Sequence, residues 1–195
     1  LILVSRDGQA VRFTATDEQL RSMGRSTSGV RGMKFRGDDE LLSMEVPREG
    51  TDLLIVTDSG YAKRTPVEEY PTKSRGTLGV RVGKLVDERG GLVGALVVRP
   101  DEDVMVITSS GKLVQVNASD VRPTARNTMG VIFARPDEGD RIIAITRNPE
   151  SGDDEESETP EADSSSGEDT PSGEDTPSGE DSPTEGGAGV NTTEK

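Results

Sequence analysis

Three stretches of the chain share one pattern of apolar and polar positions: LILVSRDGQAVRF from Leu1, LLIVTDSGYAKRT from Leu53 and VMVITSSGKLVQV from Val104. In each, an apolar run ends at Ser or Thr, two turn residues and a glycine follow, and a second run begins. Short β-branched runs around a Gly-containing polar turn predict a β-hairpin, with the glycine at positive φ. The glycines Gly8, Gly60 and Gly111 lie 52 and 51 residues apart. After each hairpin comes a polar connection and then a motif Arg-x-Thr-x-Gly-Val: RSTSGV at Arg25–Val30, RGTLGV at Arg75–Val80 and RNTMGV at Arg126–Val131. Its Gly-Val is expected to start a third strand of the same unit. An acidic turn follows (Gly37-Asp38-Asp39, Asp87-Glu88-Arg89-Gly90, Pro136-Asp137-Glu138-Gly139), and LLSMEV, LVGALVV or RIIAIT closes the unit as a fourth strand. No segment sustains a 3.6-residue period; the best helix candidate is the short connection Thr16–Met23.

Four strands in a repeat of roughly 50 residues is the size of a propeller blade. The expected fold is therefore all-β and propeller-like, with four-stranded blades at residues 1–51, 52–102 and 103–150 arranged as an open arc. Because Leu1 falls inside a strand-like run with no initiator methionine, further blades are expected before it.

Charge divides the chain at residue 150. Residues 1–150 hold 22 Lys+Arg and 22 Asp+Glu, whereas residues 151–195 hold one basic and 15 acidic residues, which is the whole net charge of −14. Within the tail, SGEDTPSGEDTPSGEDSP repeats a six-residue unit. Such a segment buries too little apolar surface to offset its ordering entropy, so disorder is expected. Two readings of it stand: a solubilising tail, or an anionic mimic that competes, through its tether, with a polyanion for a basic surface of the same molecule.

With no Cys and no His, thiolate chemistry, the common zinc ligands and most catalytic triads are excluded, and no P-loop occurs. Tyr61 and Tyr70 read as structural residues. Nothing in the sequence indicates a catalytic, cofactor or metal site. No apolar run approaches the roughly 20 residues of a membrane helix, and no signal peptide opens the chain, so a cytoplasmic setting is expected.

Basic residues recur with the fold. Nine residues after Arg25, Arg75 and Arg126 stand Lys34, Lys84 and Arg135. Arg31 and Arg81 follow Gly-Val directly, where the third copy has Ile132; Arg12 and Arg64 stand four residues after the hairpin glycine, where the third copy has Gln115. Lys63 and Lys112, also on the hairpins, complete the candidate set. Each has two readings. The motif arginine either bonds carbonyls of its own turn or faces a ligand; the downstream cations line a solvated face or a binding stripe. The Thr reads as a turn-forming hydroxyl. A stripe of point charges nearly free of aromatics suits the phosphate backbone of a duplex better than stacked single-stranded bases.

Carrying SGVRGMKF and TLGVRVGKL in such repeats, with a terminal acidic run, the chain resembles the C-terminal domain of the bacterial DNA gyrase A subunit. The resemblance covers residues 1–150, and the tail matches in kind. It implies a β-pinwheel around whose basic rim DNA is wrapped without sequence preference, in support of ATP-dependent negative supercoiling by the whole enzyme. The implied partners are double-stranded DNA, the gyrase B subunit and a second gyrase A subunit in an A2B2 heterotetramer. ATP and Mg2+ would serve that parent complex; the nucleotide site and the breakage-reunion tyrosine belong to parts outside this chain, so no enzymatic activity is assigned to it alone. The family's Gln-Arg-Arg-Gly-Gly-Lys-Gly box is absent; Ser74–Val80 (SRGTLGV) is its nearest echo. The alternatives are the equivalent domain of topoisomerase IV and a propeller that binds proteins, such as the chromosome-condensation-regulator type.

Overall fold

The computed structural model describes residues 1–148; the acidic-tail expectations lie outside the described residues. Eleven strands are found among the described residues: β1 Ile2–Ser5, β2 Gln9–Arg12, β3 Leu41–Glu45, β4 Asp52–Thr57, β5 Tyr61–Pro66, β6 Val80–Arg81, β7 Leu92–Val98, β8 Asp103–Thr108, β9 Leu113–Asn117, β10 Val131–Ile132 and β11 Ile142–Arg147. They form three antiparallel sheets, ordered β3-β1-β2-β6, β10-β5-β4-β7 and β11-β8-β9. The fold is all-β and propeller-like.

The three hairpins form as the pattern predicts. Each turn closes with a bond from the glycine N–H to the carbonyl of the hydroxyl residue three positions earlier: Gly8 to Ser5, Gly60 to Thr57 and Gly111 to Thr108, at 2.9–3.0 Å. All three glycines have positive φ, which costs them no Cβ clash. The acidic turns tie onto these hairpins. The Asp39 carboxylate accepts from the Asp7 N–H (2.9 Å), and that of Asp140 accepts from the Ser110 N–H (3.0 Å) and both Ser109 and Ser110 hydroxyls. These hydrogen bonds hold the Asp140 carboxyl below the usual carboxylate range.

The third strand departs from the sequence expectation. β6, which carries the second Gly-Val, pairs with β2 of the first sheet, and β10, which carries the third, pairs with β5 of the second. The second and third units thus lend their third strand to the unit before, so sequence repeat and spatial sheet are offset by one strand. The physical cause is the free edge: a two-residue strand needs an existing ladder, and the second strand of the preceding hairpin offers one. Among the described residues Val30 meets no such edge and forms no strand; only Met33, just beyond it, bridges to Thr77. The Thr16–Met23 helix is likewise not formed. A single turn stands there, closed by Gln19 and Leu20 N–H donors on the Thr16 carbonyl, and it recurs as 3-10 turns at Val67–Glu69 and Ala118–Asp120.

The core lies between sheets. β4 is buried at every position. Leu53 and Ile55 join Ile2, Val4, Val82 and Val97 on one side, and Leu54 and Val56 join Val104, Val106, Val121 and Ile142 on the other. This follows from the two-residue period of a strand sandwiched on both faces. At the edge strands β3, β7 and β11, Glu45 of β3 accepts from Arg147 of β11 at 2.6 Å and from the Val97 N–H of β7 at 3.3 Å, so one carboxylate ties together three repeats.

Candidate nucleic-acid interface

Each Arg-x-Thr-x-Gly-Val motif makes a corner whose hydroxyl closes its own turn. The Thr27, Thr77 and Thr128 Oγ1 atoms donate to the carbonyls of Gly24, Ser74 and Ala125 at 2.8, 3.4 and 2.9 Å. The second and third corners also dock on the preceding repeat. Lys34 N–H donates to Thr77 O at 2.8 Å and Lys84 N–H to Thr128 O at 3.0 Å; Gly76 N–H reaches Gly32 O at 2.6 Å. The motif glycines pass close to the hairpin they join: a Cβ on Gly79 would collide with the Ala10 carbonyl oxygen, and one on Gly130 would lie 2.6 Å from that of Ala62.

The predicted basic residues divide into three groups. Arg31, Lys34, Arg81, Lys84 and Arg135 are exposed, as is Arg25. Among the described residues the side chains of these six carry no ion pair or hydrogen bond. Arg81 stands on β6, the outermost strand of its sheet. Lys112 is exposed as well, but it pairs with Asp137 at 3.5 Å.

The second group faces the protein, which corrects the phosphate-contacting role expected of it. Arg12 donates from Nη1 to the carbonyls of Val67 (3.0 Å) and Tyr70 (3.2 Å), at the turn of the next repeat. Arg64, only 4% exposed, repeats the contact one unit on: its Nε donates to Val121 O at 2.7 Å, and its Nη1 lies 3.4 Å from the Asp52 carboxylate. Burial still raises the Asp52 carboxyl above the ordinary range, against the pull of Arg64. Lys63 is 3% exposed, and its Nζ donates to Thr65 Oγ1 and to Val82 O. Burial, with the nearby Arg126 charge, lowers its pKa to about 8. The Tyr70 hydroxyl donates to the same Val82 carbonyl at 3.4 Å, and burial raises its pKa to about 12.

The third group is the pair of docked motif arginines. Arg75 donates from Nε to Gln19 O (2.6 Å) and from Nη1 to Arg31 O (3.3 Å); Arg126 donates from Nη1 to Arg81 O (3.2 Å). The carbonyls belong to the preceding repeat, not to the motif's own turn.

Sequence reasoning also missed Arg89, which stacks over the Tyr61 ring at 4.7 Å and donates to Gly130 O. Its place in an acidic turn concealed it. Among the described residues no group of three or more acidic side chains is placed to hold a metal ion, and no helix is long and apolar enough to cross a membrane.

The repeats match known proteins. A family model described as DNA gyrase C-terminal domain, beta-propeller, matches three times, at residues 1–48, 51–99 and 102–149. The chain belongs to this family. The DNA gyrase A subunit of Streptomyces coelicolor is 50% identical over 152 residues, which is 78% of the chain and 18% of that protein. The corresponding protein of Mycobacterium bovis is 53% identical over 155 residues, 79% of the chain and 18% of that protein. The chain therefore spans about a fifth of the length of these relatives. A solved DNA gyrase A C-terminal domain superposes with a TM-score of 0.68 at 26% identity, over 75% of the chain and 49% of that structure. Within the gyrase C-terminal family, the two docked corners are thus joints between consecutive blades.

Proposed function

We propose that this chain binds the phosphate backbone of duplex DNA along the outer side of its blades, bends it without sequence readout, and does so within the gyrase enzyme. In that setting its partners are duplex DNA, the gyrase B subunit and a second gyrase A subunit, and the wrapped duplex supports ATP-dependent supercoiling by the whole enzyme. The observation that carries the reading is the exposed set Arg31, Lys34, Arg81, Lys84 and Arg135. Equivalent positions of consecutive repeats present, beside each corner, cations whose side chains have no partner among the described residues, so a polyanion passing along the blades meets charge at a regular interval. Membership in the gyrase family supports the choice of duplex DNA. Phosphate contacts position a protein on DNA and carry no direct sequence information, and the described fold offers no helix for the major groove. The acidic tail, Ser151–Lys195, is proposed to compete with the duplex for this surface.

Binding of a labelled duplex of about 40 base pairs, long enough to span several turns of the double helix, tests the proposal at several salt concentrations. Affinity is expected to fall linearly in a log–log plot, by about 0.9 for each phosphate neutralised, and to change little with base sequence. A chain that binds no duplex, or binds with no salt dependence, contradicts it.

A further inference from the structure

Three motif arginines share one letter and one place in the repeat, yet their surroundings differ. Arg25 is exposed and, among the described residues, its side chain meets no partner. Arg75 and Arg126 point back at the protein: both donate to the carbonyl of the residue that follows the preceding Gly-Val, Arg31 in one case and Arg81 in the other. Those two residues are themselves the exposed cations of the proposed duplex surface. We propose that Arg75 and Arg126 are positioning residues for duplex binding. Each fixes the backbone of the cation that the blade before it presents, and neither is a phosphate ligand itself. The inference rests on the duplex-binding reading above and deepens it.

Geometry favours this division of labour. A guanidinium has five N–H donors in a rigid plane. Arg75 spends two of its nitrogens on carbonyls of earlier repeat residues, Gln19 O at 2.6 Å and Arg31 O at 3.3 Å, and its own N–H bonds the Gln19 side chain at 3.3 Å. The Nε of Arg126 is buried, so it is turned away from any ligand outside. Backbone bonds from the same corners hold these segments as well: Gly76 N–H to Gly32 O, Lys34 N–H to Thr77 O and Lys84 N–H to Thr128 O. Segments 31–34 and 81–84 are thus gripped at their first residue by an arginine side chain and at their last by the motif threonine carbonyl. Each segment carries one exposed cation at either end, Arg31 with Lys34 and Arg81 with Lys84. Binding gains when such cations are held in place beforehand, because less freedom is lost on association. A lysine has no planar fork and cannot reproduce the contact.

Duplex affinity of the 195-residue chain and its variants, read at several salt concentrations, tests the inference. Arg126→Lys keeps the charge and loses the fork, so it is expected to weaken binding at least about threefold, as Arg126→Ala does, with the salt slope within about 0.3 of the unmodified chain. Arg126→Ala combined with Arg81→Ala should bind like Arg81→Ala alone. Combined with Arg31→Ala, its effect should multiply, because Arg31 is served by Arg75. The mirror pattern is expected of Arg75→Lys. Thermal melts of each variant confirm folding, and the lysine variants carry the test if an alanine variant does not fold. Full affinity in Arg126→Lys, together with a salt slope lowered by about 0.9 in Arg126→Ala, would mark a direct phosphate ligand and overturn the inference. So would multiplicative effects in the Arg126–Arg81 pair, or no effect of either arginine. If the unmodified chain binds no duplex, function and inference fall together; if it binds but the coupling pattern is absent, the inference falls alone.

Discussion

β5 and β9 are the equivalent strands of consecutive repeats, and their surroundings could hardly differ more. β5 is flanked by β4 and β10 and buries Ala62, Lys63, Arg64 and Thr65. β9 is paired with β8 alone among the described residues, and its Leu113 is 58% exposed. A lysine is buried in one and a leucine stands in solvent in the other. The difference is whether a following Gly-Val strand and turn cover the hairpin. In this architecture a residue's role is set by the repeat next door, and a cation that recurs in sequence can be an internal tie as readily as a ligand.

Removing the tie at Arg64 should break the comparison most severely. Arg64→Ala leaves the Asp52 carboxylate buried beside no cation and the Val121 carbonyl without its donor. A loss of about 3–5 kcal/mol is expected in denaturant unfolding. Gln115→Ala, at the matching position of β9, removes only an exposed bond to Asp103 and should cost about 0.5 kcal/mol or less. Equal losses at both sites would erase the distinction.

Lys63 sharpens it through pH. The other two repeats place Val11 and Val114 at this position. Its folded-state pKa of about 8 lies below the ordinary 10.5. Below pH 8 both states hold the proton and the cost of burying the charge is carried in full. Between pH 8 and 10.5 the folded lysine is deprotonated while the unfolded one still binds a proton, so stability rises with pH. Relative to Lys63→Met, the unmodified chain is expected to gain up to about 3 kcal/mol across that window. Parallel pH profiles for the two proteins would show that Lys63 is not buried as a cation.

Smaller effects are expected at the strand exchange. Gly79→Ala puts a Cβ into the Ala10 carbonyl at positive φ, and a loss of about 1–3 kcal/mol is expected from the clash. Gly29→Ala, with open space around its Cβ, carries only the backbone strain of about 1 kcal/mol. Thermal melts of the two variants, side by side, check whether the second Gly-Val docks and the first does not.

The hairpins, their glycine turns and the closing strands were legible because each is specified within a dozen residues. The motif threonines were too, since the hydroxyl bonds a carbonyl only three residues back. The exchanged strand was not: Val80 looks the same whether it pairs within its own unit or with β2, and only the free edge of the earlier hairpin decides. Arg12 and Arg64 were misread for the same reason, because their carbonyl partners lie 55 to 58 residues away. Conversely Arg31, Lys34, Arg81, Lys84 and Arg135 are exposed and find no side-chain partner among the described residues, which their spacing alone could not show.

That outward cations bind while inward cations hold the blades together is tested most directly by one triple variant. It combines Lys34→Ala, Lys84→Ala and Arg135→Ala, and is measured for both duplex affinity against salt and the unfolding midpoint. The predicted result is a log–log salt slope smaller by about 2.7, three contacts at about 0.9 each, with the unfolding midpoint of the unmodified chain. An unchanged slope, or lost stability with unchanged affinity, would contradict it.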